Sequence, residues 1–368
     1  MRQIKALILA GGFGTRLRPL SCARPKLLFP IAGRPMIEWV LDELLKNEVD
    51  TAILATNYLA DMVKAHLGKK FHDINLHYSL EDRPLGTGGA IKRAERFLKK
   101  DEDFFVLNSD IIASPPLKEI FQQHKSLRAT ATIMLHKVND PTHFGVAELG
   151  RSTQITKFIE KPRLRDAPSN WINAGVYILK PSIFSQLTPR TKISIEKEIF
   201  PGLASSGKLY GYKYFGEWFD IGRFEEYRRA NIAILSRAST SKAMIGPNVK
   251  VGPNARLIPP LTIGAHSVVG TDVSLGPNTC VGGRSVISEG SQVSDSILFD
   301  TVSLGKNSLI NGSLIGESAV VGANVRIGEG CVVGDNAFIN DNLTLKKNVI
   351  VCPYKEVSRS INRPGIVT

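Results

Sequence analysis

Gly11, Gly12 and Gly14 stand within four residues at the end of the apolar run "KALILA", and Arg16, Arg18, Arg24 and Lys26 follow closely. Glycines at such a turn let backbone N–H groups approach an anion with no side chain in the way, and the cations after them add positive charge. A phosphate is the expected ligand. Neither familiar phosphate loop fits: the dinucleotide fingerprint lacks its third glycine, and the Gly-Lys-Ser/Thr of a P-loop is missing. Further on, Asp110 closes "FFVLNSD", Asp220 lies in "WFDIG", and Glu160 and Lys161 adjoin in "FIEKP" before a proline turn. Each has a plainer reading. A lone strand-end aspartate is ordinary, and a neighbouring Glu and Lys usually form a solvated pair.

The elements around these residues follow two grammars. Up to about residue 237, apolar β-rich runs ("KALILAG", "TAILATN", "DFFVLNSD", "ATATIMLHKV") alternate with helical patterns ("RPMIEWVLDELL", "AIKRAERFLKK", "LKEIFQQHK"). In the first helix Met36, Ile37, Val40, Leu41, Leu44 and Leu45 share one face. This alternation predicts an α/β domain over residues 1–237, a Rossmann-like, mostly parallel sheet with ligands beyond the carboxyl ends of its strands. After the helical "FEEYRRANIAILSR", the run "ASTSKA" reads as a linker. An aliphatic residue then recurs every sixth position from Ile245 through Val251, Leu257, Ile263, Val269, Leu275, Val281 and Ile287 to Val293, and glycine follows it in six of these nine hexads. The register slips near Phe299–Leu314 and resumes from Ile315 to Val351. Only three of 27 aromatic residues fall in this half, as a narrow core requires. Residues 238–368 are thereby predicted to form a parallel β-helix, three hexads to each triangular coil.

Composition bounds the function classes. At 368 residues and 43% hydrophobic content the chain supports a globular core. The start "MRQIKALILAGG" has too few apolar residues for a signal peptide or a membrane span, which implies a cytoplasmic protein with no membrane partner. Cys22, Cys280, Cys331 and Cys352 lie far apart, with neither zinc-site nor disulfide spacing. The net charge of +13 is concentrated early, because the stretch from Ser239 onward holds 11 Lys/Arg against 9 Asp/Glu. No basic run with interleaved aromatics occurs, so phosphorylated small molecules account for the charge better than nucleic acid does.

"GGFGTRLRPL" followed by "RPKLLFP" closely resembles the signature loop of the sugar-1-phosphate nucleotidyltransferases, the nucleoside-diphosphate-sugar pyrophosphorylases. The resemblance continues through "EDRPLGTGGAI", "FFVLNSDII", "DPTHFGVAEL", "FIEKP", "NWINAGVYIL", "SIEKEIFP" and "WFDIG", and covers essentially the whole chain. Within the family, "VLNSD", "INAGVY" and "NDNLTLKKNVIVCPYKEV" look most like the branch that joins GTP to mannose 1-phosphate. The resemblance implies a left-handed sense for the β-helix; stacked coils need capped ends and their flat faces readily pack together, so homo-oligomerisation through the region from Ala243 onward is expected. The resemblance implies that Leu9, Ala10, Gly11, Gly12, Gly14, Thr15 and Arg16 bind the nucleotide together with Glu81, Pro84, Gly86 and Thr87. It further implies that Arg16 stabilises the β- and γ-phosphates, that Lys26 stabilises the transferred phosphoryl group, and that Asp110 and Asp220 hold Mg²⁺. Lys161 would neutralise the sugar 1-phosphate, while Glu160, Asn173 and the Gly145 backbone would contact the sugar. Three departures from the family pattern stand out: Ser109 replaces a glycine, Arg223 a Thr or Gln, and "GTGG" the commoner "GTAG".

Other readings stay open on sequence grounds. A sister enzyme using TTP or UTP with glucose 1-phosphate shares these motifs. A regulatory, non-catalytic subunit shares the architecture, although Arg16, Lys26, Asp110, Lys161 and Asp220 are all intact. Acyl transfer by the β-helix would need a general base, and His266 is the only histidine in the repeat.

Overall fold

The computed structural model describes residues 4–57, 59–98, 102–189 and 191–368. It divides into two compact units: residues 1–13 with 36–220, and residues 14–35 with 221–368.

The first unit is built on a ten-stranded sheet. Its centre is four parallel strands in the order Phe104–Asn108, Lys5–Leu9, Thr51–Thr56, Ile74–Leu80. The inner strands read as unbroken apolar runs because both faces are covered: Leu7, Ile8, Ile53, Leu54 and Val106 are fully buried. On one side the sheet continues through the nine-residue strand Trp171–Leu179, antiparallel to Phe104–Asn108 and to Ala131–Lys137. It ends in the antiparallel pair Gly145–Leu149 and Ile155–Glu160. The run "ATATIMLHKV" marks one strand of this wing in the sequence, whereas its antiparallel pairing carries no local signal.

Helix Met36–Lys46 buries Met36, Ile37, Val40, Leu41 and Leu44, while Leu45 at the margin of the predicted face stays half-exposed. The helix expected over "AIKRAERFLKK" starts four residues earlier, spans Gly86–Ala94 and tightens into a 3-10 turn at Glu95–Phe97; Lys99 and Lys100 lie outside the described residues.

The second unit contains helix Phe224–Ala238 and three parallel sheets of eight, seven and six short strands, the three sides of a parallel β-helix. Residues 18 apart stack in register, as Ile263 on Val281 and Val269 on Ile287. Side chains alternate across each strand, and the inward set from Ile263 to Val357 forms one buried column. In the first coil, with no coil beneath it, Ile245 and Val251 are exposed although they continue the pattern.

The predicted slip has a simple origin. Two sides of the triangle are one residue short, from Val293 to Leu298 and from Ile310 to Ile315. Between them the stacking offset drops to 17 residues, as in Leu298 on Ile315, and it returns to 18 with Ile315 on Val333. Corner serines satisfy the backbone where strands end: Ser291 Oγ donates to the Gly305 carbonyl at 2.8 Å and accepts from Ser308 N–H one coil on. His266 occupies an exposed corner with φ 61°, the place of a turn residue. No helix among the described residues is long and apolar enough to cross a membrane.

Candidate active site

In the first unit, the parallel strands deliver the chemistry-bearing segments to one sheet edge. Leu9 pairs with Ala55 and Asn108, and Ala55 with Ser79, so the carboxyl ends lie level. Gly11, Asn57, Glu81 and Asp110 emerge there, on the side where parallel sheets gather ligands. Ala10 N–H donates to the Ala55 carbonyl at 2.9 Å, and Asn57 Nδ2 to the Gly11 carbonyl at 2.7 Å. A Cβ on Gly11 would stand 3.3 Å from Glu81 Oε1, whereas one on Gly12 would meet nothing within 4 Å. Glu81 is thus held beside the glycine loop. Its Oε2 accepts from Leu85 N–H at 3.0 Å. Burial pushes the Glu81 carboxyl up, against the pull of that hydrogen bond and of Arg93.

Pro84 is exposed, and Gly86 opens its helix at φ 71°, where a Cβ would lie 2.5 Å from the Ile193 carbonyl oxygen. The Thr87 hydroxyl donates to Glu196 Oε2 at 2.6 Å and accepts from Ile195 N–H at 3.0 Å. The "GTGG" departure has a steric cause: a Cβ on Gly88 would sit 2.8 Å from Ile193 Cγ2 and 3.1 Å from Leu187 Cδ2. Gly88→Ala gains about 1 kcal/mol of helix propensity, but overpacking costs about 1–3 kcal/mol. We expect a lower thermal midpoint. A raised midpoint would show that Ile193 yields freely.

The two aspartates come together through strand pairing. Asp220 lies opposite Ile111 in the antiparallel pair Ile111–Ala113 and Trp218–Asp220, so Asp110 is one position away across the ladder. Both are half-buried. Trp218 Nε1 donates to the Ala174 carbonyl at 3.0 Å and fixes the second strand. Ser109 lies outside the left-handed region, so no glycine is needed there, and its N–H donates to the Leu9 carbonyl at 3.1 Å.

Gly145 pairs directly with Glu160, and a Cβ on it would lie 2.9 Å from Glu160 Oε2. Lys161 takes a left-handed φ of 50°, held by its N–H to the Phe144 carbonyl at 2.9 Å, and its exposed Nζ stands 3.5 Å from Glu160 Oε1. Asn173 Oδ1 accepts from Gly175 N–H at 2.9 Å, and its Nδ2 donates to the Tyr177 hydroxyl at 2.8 Å. That hydroxyl donates in turn to Glu196 Oε1 at 3.4 Å. Burial first, and the charge of Glu196 second, push the Glu160 carboxyl up, with Lys161 opposing. Glu196 therefore links Thr87 to Tyr177 and Asn173 and bears on Glu160. In the sequence Glu196 is one of three consecutive charges in "SIEKEIFP", and nothing local singles it out from Lys197 and Glu198, which stay exposed.

In the second unit, the remainder of the glycine loop folds on itself. Gly14 has φ 60°, accepts from Ser21 Oγ and Leu17 N–H at 2.8 Å each, and would place a Cβ 3.4 Å from Lys26 Cβ. Thr15 and Arg16 are exposed. The Arg16 guanidinium lies against Gly222 of "DIG", where a Cβ would come within 3.1 Å of Nη2. Arg223 caps helix Phe224–Ala238 in extended conformation with its side chain in solvent. Arg24, grouped by sequence with the phosphate-facing cations, is committed elsewhere. It pairs with Glu317 and Asp335 and stacks 4.9 Å from the centre of the Phe299 ring.

Two families match the chain: the nucleotidyl transferase family over residues 5–237 and the GMPPB C-terminal domain over residues 257–367. Mannose-1-phosphate guanylyltransferase 1 of Arabidopsis thaliana is 37% identical over 99% of this chain and 100% of its own length. The mannose-1-phosphate guanylyltransferase catalytic subunit beta of Dictyostelium discoideum is 36% identical with the same coverage. Among solved structures, a putative glucose-1-phosphate thymidylyltransferase from Bacillus anthracis superposes with a TM-score of 0.57 at 27% identity, over 62% of this chain and 94% of that one. With its strand-end glycine loop, paired aspartates and hexapeptide coils, the chain belongs to the nucleotidyl transferase family.

Proposed function

We propose that the protein transfers the guanylyl group of GTP to mannose 1-phosphate, forming GDP-mannose and pyrophosphate. An oxygen of the sugar phosphate bonds to the α-phosphorus while the bond from that phosphorus to the bridging oxygen of the β-phosphate breaks. The nucleophile is a phosphate monoester with a second pKa of about 6 and is already anionic at neutral pH. No general base is required; the protein has to hold two polyanions in line and offset their repulsion.

We assign Arg16 to the β- and γ-phosphates, Lys26 to the phosphoryl group in transfer, and Lys161 to the sugar phosphate. Glu160, Asn173 and the Gly145 backbone take the sugar hydroxyls. Asp110 and Asp220 suit Mg²⁺, which ordinarily takes one or two carboxylates along with water and substrate phosphates; among the described residues no cluster of three or more His, Cys, Asp or Glu competes as a ready-made cage. Bound there, Mg²⁺ supplies charge neutralisation on the phosphate oxygens. The same reading places the protein in the cytoplasm as a homo-oligomer assembled through the β-helix.

The observation that carries the choice of base is Glu81 Oε1 beside Gly11. Guanine presents adjacent N1–H and N2–H₂ donors, which suit a carboxylate that only accepts; a pyrimidine imide presents one donor between two carbonyls, which suits an amide. Glu81→Gln is expected to weaken GTP use and raise the relative use of TTP or UTP. Pyrophosphate release from four nucleoside triphosphates against several sugar 1-phosphates tests the whole assignment. Unchanged nucleotide ratios in the variant would remove Glu81 from base recognition, and a wild-type preference for another nucleotide would replace GTP.

A further inference from the structure

The three sides of the β-helix carry different outer surfaces. On the eight-stranded side, the outward residues Cys280, Ile297, Leu314 and Val332 are buried. Asn231 of helix Phe224–Ala238 lies over Cys280 there. On the six-stranded side, the outward positions Arg256, Ser274, Gln292, Leu309, Arg326 and Thr344 are mostly polar. The seven-stranded side differs. Its inward residues from Val269 to Val357 fill the core, so the stacked partners of the alternate position point outward. In order along the helix axis these are Lys250, Val268, Val286, Ser303, Val320, Phe338 and Glu356. Val268, Val286 and Phe338 are 38%, 42% and 44% exposed.

The order of this ladder reads nearly the same from both ends. Ser303 is its midpoint, valines flank it at Val286 and Val320, Val268 and Phe338 come next, and opposite charges stand at the ends. Gly252, Gly270, Gly305 and Gly322 follow the inward residues on the same side, which keeps the surface beside the ladder low.

We propose that this side is a face for a second copy of the chain, packed with antiparallel β-helix axes about a two-fold axis through Ser303. In that register Lys250 meets the second copy's Glu356 at both ends, Val268 meets Phe338, Val286 meets Val320, and Ser303 meets itself. A C2 contact requires such a self-complementary patch. The alternative, with parallel axes, would set Lys250 against Lys250 and Glu356 against Glu356, and like charges in an interface suppress association. Charge order therefore selects the antiparallel arrangement. The inference rests on the reading that the β-helix drives self-association and names the face and register that do so.

Analytical ultracentrifugation of the full chain decides it. The wild type should sediment as a dimer or a multiple of one. K250E or E356K alone creates two like-charge contacts and should raise the dissociation constant of this contact at least about tenfold, halving the subunit number at micromolar protein. The double variant K250E/E356K should restore it. Val286→Glu, which burdens the centre of the ladder, should also dissociate the pair; the position is exposed, and an unchanged circular-dichroism spectrum verifies folding. Ser303→Cys should give a dimer with a short bis-maleimide cross-linker, above the background from exposed Cys22. A monomeric wild type would overturn both the self-association reading and this face. An oligomeric wild type with all three single variants unchanged would overturn the face alone. Loss of the pair in the single variants without rescue in the double would overturn the antiparallel register.

Discussion

Asp110→Asn should lower turnover by about 10²-fold or more, and Asp220→Asn by a similar factor, comparable to deleting one preorganised electrostatic stabiliser in other enzymes. Each change keeps the side-chain shape and removes one negative charge. The register that sets Asp220 opposite Ile111, next to Asp110, makes the pair a single unit. The two losses should therefore be non-additive, and the double variant little worse than either single one. A titration of Mg²⁺ binding provides a readout independent of turnover: the apparent affinity should fall in both variants while the thermal midpoint without metal hardly moves. Near-normal turnover at ordinary Mg²⁺ in either variant would remove that aspartate from the assignment.

Arg24→Ala should be the most damaging substitution to stability among the cations of the glycine-loop region. The Arg24 side chain is 12% exposed and that of Asp335 is 3% exposed. Asp335 Oδ1 also accepts from Glu317 N–H at 2.8 Å, so the carboxylate cannot swing to solvent without breaking the coil. Removing one partner of a buried pair leaves an uncompensated charge, at a cost of about 3–5 kcal/mol. Arg24→Lys should recover only part of this, because an ammonium cannot span Glu317 and Asp335 while stacking on Phe299.

The pH dependence gives the sign. Burial already pushes the Asp335 carboxyl up, and Arg24 is what pulls it back. Without Arg24 the folded-state pKa rises further above its unfolded value, which weakens the fold at pH values above that folded pKa. The deficit of the variant should be largest at neutral pH and narrow as pH falls through the raised folded value toward the ordinary carboxylate range. Urea unfolding at several pH values measures this. A deficit that stays constant with pH would mean that Arg24 acts through packing rather than through Asp335. Lys26 lies two residues beyond Arg24 in the same segment, so the anchor also bears on the position of a residue assigned to catalysis.

Features that depend on local period and local turn chemistry are readable along the chain. One inward residue in six can only stack as coils, which is why Ile263, Val281 and their successors were readable as a column. Apolar runs ending in glycine or aspartate marked the central parallel strands and the edge where Gly11 and Asp110 emerge, and the family motifs carried the same residues to their expected chemistry. Glu81 was legible as a candidate; its proximity to Gly11 was not.

Features that depend on pairs far apart in the chain emerge only on folding. Nothing local tells Arg24 that its partners are Glu317 and Asp335, or Gly88 that Ile193 leaves no room for a methyl group. Glu196 reads as one more charge in a helical run until folding buries it against Thr87 and Tyr177. The run "ATATIMLHKV" is legible as a strand, but its antiparallel pairing with Trp171–Leu179 is not, because the partners lie far apart in the chain. In each case the deciding quantity is steric fit or charge desolvation between segments that only the folded chain brings together, and the spacing of residues along a sequence does not encode it.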